Sequence, residues 1–468
     1  MAFILNNAHL DYEANIDKRF DFVEGGLRLL VDADPIAYLA ASACESATHH
    51  IKINDKSTYQ VVGGKTELYT ALGFENKAQF ESMLETNPSI TYEIEVRTDD
   101  QKNMKHTIKR QVAKLVKRVG AGSVELYLTD SKSNFRITEE IATILKYKGN
   151  RSSDSKPKLL SEARNYLLEE LDAIMCYGME ADDKLAIEHR KAWAQAMKDA
   201  EEFYIGEKVD TETLEKKAME LTTTVLASID KDLKQVAGKY INPDEDLGIE
   251  EIFPLGHMFL QEKGKSKKLR FNGLKAFYAQ LIIGDNCDNI PSVYFCGDTK
   301  AYEVLKDCKN EEELFKAALR ETYEGFHREM IKSLDPIIDG KVETALETGL
   351  HGNDNKSNRT KLRKKFKDYY ISNAAYKDKH YYPWWCYVEN EDGTVSKELK
   401  EGIDSSDIQT ISPIEHMIEV ARLVYMLEKE PCEDGSHLWT PPNEKWIKDV
   451  QDEYIEKNLL RIDTEWVL

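Results

Sequence analysis

The stretch from Leu27 to Asp34 reads LRLLVDAD, an apolar run closed by two aspartates. Three later stretches repeat the design: SVELYLTD from Ser123 to Asp130, DAIMCYGME from Asp172 to Glu180, and TTTVLASIDKD from Thr222 to Asp232. Runs this short and apolar, separated by helix-like sequence, predict buried parallel strands joined by crossover helices. Ligands of such sheets bind outside the carboxyl ends of the strands, so four acidic strand ends would converge on one edge. An aspartate after a single strand is ordinary turn and capping chemistry. Four in series, doubled at Asp32/Asp34, Asp182/Asp183 and Asp230/Asp232, point to a shared site.

The chain has 468 residues, long enough for a large core and roughly two to four domains. At 41% hydrophobic and 32% charged residues it is neither wholly disordered nor membrane-embedded. No apolar run approaches a bilayer span, and the start MAFILNNAHLDYE lacks the basic region and cleavage site of a signal peptide. The expectation is a cytoplasmic protein. Seven cysteines without a CxxC pair suit reduced thiols better than a disulfide framework or a zinc site. A net charge of −20 argues against nucleic-acid binding by the whole surface. That inference weakens if the acids surround cations, which cancel part of their charge.

Between the first two strands lies a long piece, Glu45 to Arg118. It carries a hairpin in IKINDKSTYQVVGGKTELY and a strand in TYEIEVRTD. Its GGKT, Gly63 to Thr66, looks like a phosphate-binding loop, but that pattern needs glycine where Tyr59 stands. Lys156 to Ile174 predicts a packing helix, with Leu160, Ala163, Leu167, Leu171 and Ile174 at helical spacing. Beyond Lys309 the chain is rich in charge. Gly340 to Asn358 reads as a mobile loop, and PIEHMIEVARLVYMLEKEP as an amphipathic helix leading to LWTPP.

The acids at strand ends and helix starts are Asp32, Asp130, Glu180, Asp182, Asp183, Asp230 and Asp232. Asp285 and Asp288 join them in LIIGDNCDNIPSV, three residues apart after an apolar run. Carboxylates crowded in one cleft repel and raise one another's pKa unless a cation sits among them. Hard divalent ions with oxygen preference, magnesium or manganese, are the natural occupants. A pair of such ions in a carboxylate cluster supports in-line attack of water on a phosphodiester. Phosphoryl chemistry also needs cationic side chains against the transferred group. Lys146, Lys148 and Arg151 of KYKGNR supply them shortly after the second strand.

These residues carry a family resemblance. LLVDADPIAY around Asp32, TDSKSNFR from Thr129, YKGNR from Tyr147, GMEADD from Gly178, SIDKDLK from Ser228 and GDNCDNIPSV from Gly284 occur in that order. Together they resemble the flap-endonuclease superfamily of 5′ nucleases, closest to its phage 5′→3′ exonuclease branch. The resemblance implies an α/β PIN-like core with a mostly parallel sheet, a helical arch or gateway, and a helix–hairpin–helix-like DNA clamp. It implies a first metal held or organised by Asp32, Asp130, Glu180, Asp182 and Asp183, and a second served by Asp230, Asp232, Asp285 and Asp288. Lys148 and Arg151 would contact the scissile phosphate. Lys146, Arg136, Ser292, Gly297 and Lys300 would bind nucleic acid, with a potassium ion at the clamp.

The implied substrate is double-stranded DNA with 5′ ends or flaps, and RNA–DNA hybrids, in company with replication proteins. The implied division is a nuclease core at 1–44 and 119–280, an insertion at 45–118, a clamp at 281–310, and a C-terminal extension at 311–468 packed on the core. Asp34 matches the family less clearly and suits a supporting or capping role. In SVYFCGDTK, from Ser292 to Lys300, Tyr294 and Phe295 stand where the family's hairpin has small residues.

Two other readings compete. VDADP is similar to the start of haloacid-dehalogenase-like phosphatases, where the first aspartate is a covalent nucleophile. That family has no need of GMEADD and SIDKD. A binding module that kept the fold and lost the chemistry has no need to retain nine acids with Lys148 and Arg151.

Overall fold

The computed structural model describes residues 20–130, 132–139, 141–151, 156–245, 247–264, 266–349, 352–373, 385–391, 395–399, 401 and 411–456. All four acid-closed stretches form strands of one sheet: β1 (Leu27–Asp32), β5 (Ala121–Thr129), β6 (Ile174–Cys176) and β7 (Thr224–Ala227). With β8 (Gly238–Ile241) and β9 (Glu250–Ile252) the order is β6-β5-β1-β7-β8-β9. Every pairing is parallel except β8 with β9. The chain begins in the middle, moves outward through β5 to β6, then returns to the other side of β1. That reversal makes β1 the switch point, where such sheets open a ligand crevice.

The sheet is buried on both faces because its strands alternate apolar residues to either side. Leu29 and Val31 of β1, with Val225 and Ala227 of β7, pack against the helices Asp34–Ser42, Gln101–Val119 and Leu160–Glu170. Leu30, Tyr127, Leu226 and Tyr240 face the other way, onto Leu185, Ala186 and Ile187 of the long helix Ala181–Phe203. The packing helix expected over Lys156 to Ile174 is shorter, since Ile174 already belongs to β6.

The piece after β1 forms a separate antiparallel sheet. Strands β2 (Glu45–Ile53), β3 (Lys56–Val62) and β4 (Ile90–Thr98) pair in the order β3-β2-β4. Ile51, Leu68 and Phe80 make its small core with the helices Lys65–Leu72 and Lys77–Thr86. The GGKT glycines only start the first of these helices.

A hairpin, β10 (Met258–Lys263) and β11 (Ser266–Phe271), leads to the helix Gly273–Ile283. That helix lies almost wholly inside a third core, shared with Glu311–Ser333, Pro413–Val424 and Glu444–Glu456. Gly340 to Asn358 is not a loop throughout: the helix Asp335–Glu347 covers its first part, held by the buried Ile338, Val342 and Ala345, and Lys356–Asn373 follows. A last pair of strands, β12 (Trp385–Glu389) and β13 (Val395–Leu399), is antiparallel. Between Asp130 and Leu160 the only helix among the described residues is Phe135–Thr138, so no helical arch is found among them; residues 131, 140 and 152–155 lie outside the description. No helix among the described residues is long and apolar enough to cross a membrane.

Candidate metal centre

Parallel strands that end together deliver their following residues to one edge. Asp32 is the last residue of β1, and Ser228, just past β7, donates its hydroxyl to Asp32 Oδ2 at 3.2 Å. Beyond β6 the chain turns through Gly178, with φ +77°, and Glu180 becomes the N-cap of the long helix. Asp182 and Asp183 occupy its first turn, where the helix dipole favours negative charge. After β7, the Asp230 carboxylate accepts the Asp232 amide at 2.9 Å, which starts a short 3-10 turn. Asp285 follows the buried helix Gly273–Ile283 and exchanges two backbone bonds with Ile290, 3.0 and 2.7 Å, closing a tight turn that carries Asp288.

The edge divides electrostatically into two halves. In the first, each acid has a cation or donor. The Tyr147 hydroxyl lies 3.1 Å from Glu180 and 3.0 Å from Asp288 and bridges them, its single proton shared between the two carboxylates. Lys148 pairs closely with Glu180 and lies 3.6 Å from Asp288, whose other oxygen is paired by Arg151. Burial works against the charge on Glu180, but Lys148 and Arg136 outweigh it and hold the carboxyl below its ordinary value. Lys231 meets Asp285 at 2.7 Å; against the opposing effect of burial, it keeps that carboxyl low.

The second half is Asp32, Asp182, Asp230 and Asp232. Burial raises all four. For Asp32 the charges of Asp34 and Asp230 add to it, and for Asp182 those of Asp32, Asp230 and Glu180. Asp230 is raised further by Asp288 and Asp285, and Asp232 by Asp230, while Lys231 offsets only part of either shift. Asp182 Oδ1 is buried and has no hydrogen-bond partner. A buried, unsatisfied carboxylate oxygen facing like charges is costly unless something positive reaches it. The donor set, four carboxylates and no thiol or imidazole, suits a hard oxygen-seeking dication. Among the described residues no three His, Cys, Asp or Glu side chains close around one point as they stand. The residues fit such an ion by chemistry and by the orphaned oxygen.

Other expected residues fall elsewhere. Asp183 is fully buried, and both its oxygens are taken by Arg136, at 2.5 and 2.9 Å. Arg136 is itself 1% exposed and spends its remaining donors on the carbonyls of Leu423 and Tyr425. It therefore cannot meet nucleic acid, and that expectation is corrected: its cationic end is an interior tie between the sheet edge and the C-terminal helix Pro413–Val424. Asp130 stands apart at the rim, where the Ser133 hydroxyl at 2.7 Å lowers its pKa. Asp34 accepts the Thr129 amide at 2.9 Å and pairs with Arg164, a bracing role. Lys146, Ser292, Gly297 and Lys300 are exposed; Gly297 caps the helix Asp298–Leu305, and Lys300 lies 3.4 Å from Glu321.

Sequence reasoning missed Tyr147, Lys231, Ser228 and Gln280, the last a donor to Asp232. Lys231 had a signal, since it stands between two aspartates, and so did Tyr147, flanked by two lysines. Gln280 had none, being one polar residue in an apolar helix.

The chain matches no family model and no curated protein. Among solved structures it is similar to the T5 D15 protein co-crystallised with metal ions, at 17% identity and a TM-score of 0.27, over 47% of this chain and 79% of that one. A lysine-to-alanine mutant of T5 5′-exonuclease gives 14% identity and a TM-score of 0.26, over 46% of this chain and 76% of that one.

Proposed function

We propose that this protein is a metal-dependent nuclease that hydrolyses phosphodiester bonds from the 5′ ends of DNA, with flap endonuclease and RNase H-like cleavage as related activities. One observation carries the reading: Asp32, Asp182, Asp230 and Asp232 form an under-compensated group of buried and half-buried carboxylates, next to Glu180 and Asp288, which pair with the cations Lys148 and Arg151. The ordered motifs from Asp32 to Asp288 give the nuclease reading its direction. A phosphatase that uses its first aspartate as a covalent nucleophile would leave Asp182, Asp230 and Asp232 without work.

Asp32, Asp182, Asp230 and Asp232 would hold magnesium or manganese, with Asp285 and Asp288 on the same rim. The ions when bound supply Lewis-acid activation of water and stabilise charge on the phosphate oxygens. The chain's own residues do the rest. Ser228 and Gln280 hold Asp32 and Asp232 in place through hydrogen bonds. Tyr147 fixes Glu180 and Asp288 against each other. Lys148 and Arg151, tethered to those two acids, stand where an incoming phosphate can take their donors in exchange for carboxylates. A charge aimed at the transferring group helps most in the transition state.

Lys148→Ala should therefore lower kcat by about 10²-fold or more with a much smaller change in KM, on the scale of losing one transition-state donor. Steady-state cleavage of a 5′-tailed duplex measures both. A loss confined to KM would remove Lys148 from the chemistry.

A further inference from the structure

Hydrolysis leaves one feature beside the site unused. A cleft of about 320 Å³ opens next to the Asp288 turn, lined by Asn286, Asn289, Ser292, Tyr294, Phe295 and Phe326 among others. Phe295 is 73% exposed, on a backbone with φ +55°. A bulky L-residue rarely occupies that left-handed region, and only with strain. Packing does not repay it, because the ring stays in water with the Tyr294 ring edge-on at 4.6 Å. Strain held against local preference is found at functional sites.

Two more residues here have left-handed backbone, Lys148 with strain and Asn289 as a type that tolerates it. Asn289 has φ +59° and Lys148 φ +54°, so three of the six described non-glycine residues with positive φ meet at this corner. The corner is also tied together. Lys148 donates its amide to the Asp288 carbonyl at 2.8 Å, Asn289 donates its side chain to the Lys146 carbonyl at 2.9 Å, and Asn150 reaches the Asn286 carbonyl at 2.6 Å. The cleft wall and the cationic loop are therefore one rigid piece.

The lining chemistry selects the guest. Among the described residues no lysine or arginine lines the cleft, although both stand close by on the loop. Rings, side-chain amides, a hydroxyl and one carboxylate suit a flat heteroaromatic group with donors and acceptors on its edge better than a phosphate. We propose that the cleft holds an unpaired nucleobase stacked on Phe295, its edge meeting the Asn286, Asn289 and Ser292 polar groups, while its backbone runs past Arg151 and Lys148. This rests on the nucleic-acid reading above and extends it. The left-handed backbone at all three residues then has a use, because Phe295 offers the stacking face while Asn289 and Lys148 join that face to the phosphate-facing loop.

The test uses the full chain in EDTA, a blunt duplex, and the same duplex with a single-stranded extension carrying 2-aminopurine. Wild-type protein should quench the probe and bind the extended duplex more tightly than the blunt one. Phe295→Ala should abolish the quenching and reduce that preference about 5- to 100-fold, the scale of one base–aromatic stack, and Phe295→Trp should restore both. Undiminished preference and quenching in Phe295→Ala would overturn the cleft assignment while leaving the nucleic-acid reading standing. Binding of neither duplex would overturn both. Equal quenching of the free 2-aminopurine nucleotide and the extended duplex would assign the cleft to a mononucleotide instead, and overturn the strand-borne base.

Discussion

Asp182 and Asp183 are neighbours with opposite situations. Asp183 faces a guanidinium on both oxygens, whereas Asp182 faces Asp32, Asp230 and Glu180 and keeps one oxygen unpartnered. Their substitutions should diverge accordingly. Asp182→Asn removes a charge that repels its neighbours, so in EDTA it should stabilise the fold. In magnesium the same variant should lose activity. Asp183→Ala strands Arg136 in the interior, and removing one partner of a buried pair costs about 3–5 kcal/mol. Urea denaturation of both variants decides the matter, and a neutral Asp183→Ala would show that Arg136 finds another partner. Sequence alone treated the two as equivalent ligands. Nothing local distinguishes them, since the partner that separates them is Arg136, which is in turn positioned by the Leu423 carbonyl 287 residues further on.

At the scale of elements, the acid-closed strands and their parallel pairing were legible because period, length and ending chemistry all agreed. The short β6, three residues long, was legible through the acid that closes DAIMCYGME and the GMEADD motif it leads into. The antiparallel edge of β8 and β9 was not, because Gly238–Ile241 and Glu250–Ile252 are too short to show a period. The long helix Ala181–Phe203 carries a further consequence. His189 lies between it and the sheet, 1% exposed, with Nδ1 2.8 Å from the Thr224 hydroxyl. Burial, assisted by Arg190 and Lys239, pushes its pKa down to about 3. The unfolded chain takes up a proton near pH 6.5 that the folded chain refuses, so this residue costs no stability above that pH. Below it, stability should fall by about 1.4 kcal/mol per pH unit until about pH 3. His189→Gln should flatten that slope between about pH 6 and 4 relative to the parent in parallel denaturation curves. Identical slopes would mean that the native state opens to admit the proton.

Across the whole molecule, a chain of net charge −20 carries its charges sorted by region. Acid gathers at the sheet edge, where part of it pairs with Lys148, Arg151 and Lys231. The helix Gln101–Val119 contains Lys102, Lys105, Lys109, Arg110, Lys114, Lys117 and Arg118 and no acid, and Lys356–Asn373 is similarly rich in lysine and arginine. The average charge conceals a division that is already legible in the basic runs Lys105 to Arg118, Lys263 to Arg270 and Lys356 to Lys367. The nine acids were found in sequence as a set; the structure separates them into a cation-seeking group, a group already neutralised by Lys148, Arg151 and Lys231, the buried Asp183, and the rim residue Asp130.

Metal-dependent cleavage of nucleic acid is the work proposed for Asp32, Asp182, Asp230 and Asp232. The decisive measurement incubates duplexes with one recessed end, labelled at the 5′ terminus of either strand, with wild-type protein in magnesium, wild-type protein in EDTA, and Asp230→Asn protein in magnesium. Short 5′-labelled products in the first reaction alone are predicted, and their length separates exonucleolytic from flap cutting. Intact strands in all three, or release of the terminal phosphate only, would contradict a metal-dependent 5′ nuclease.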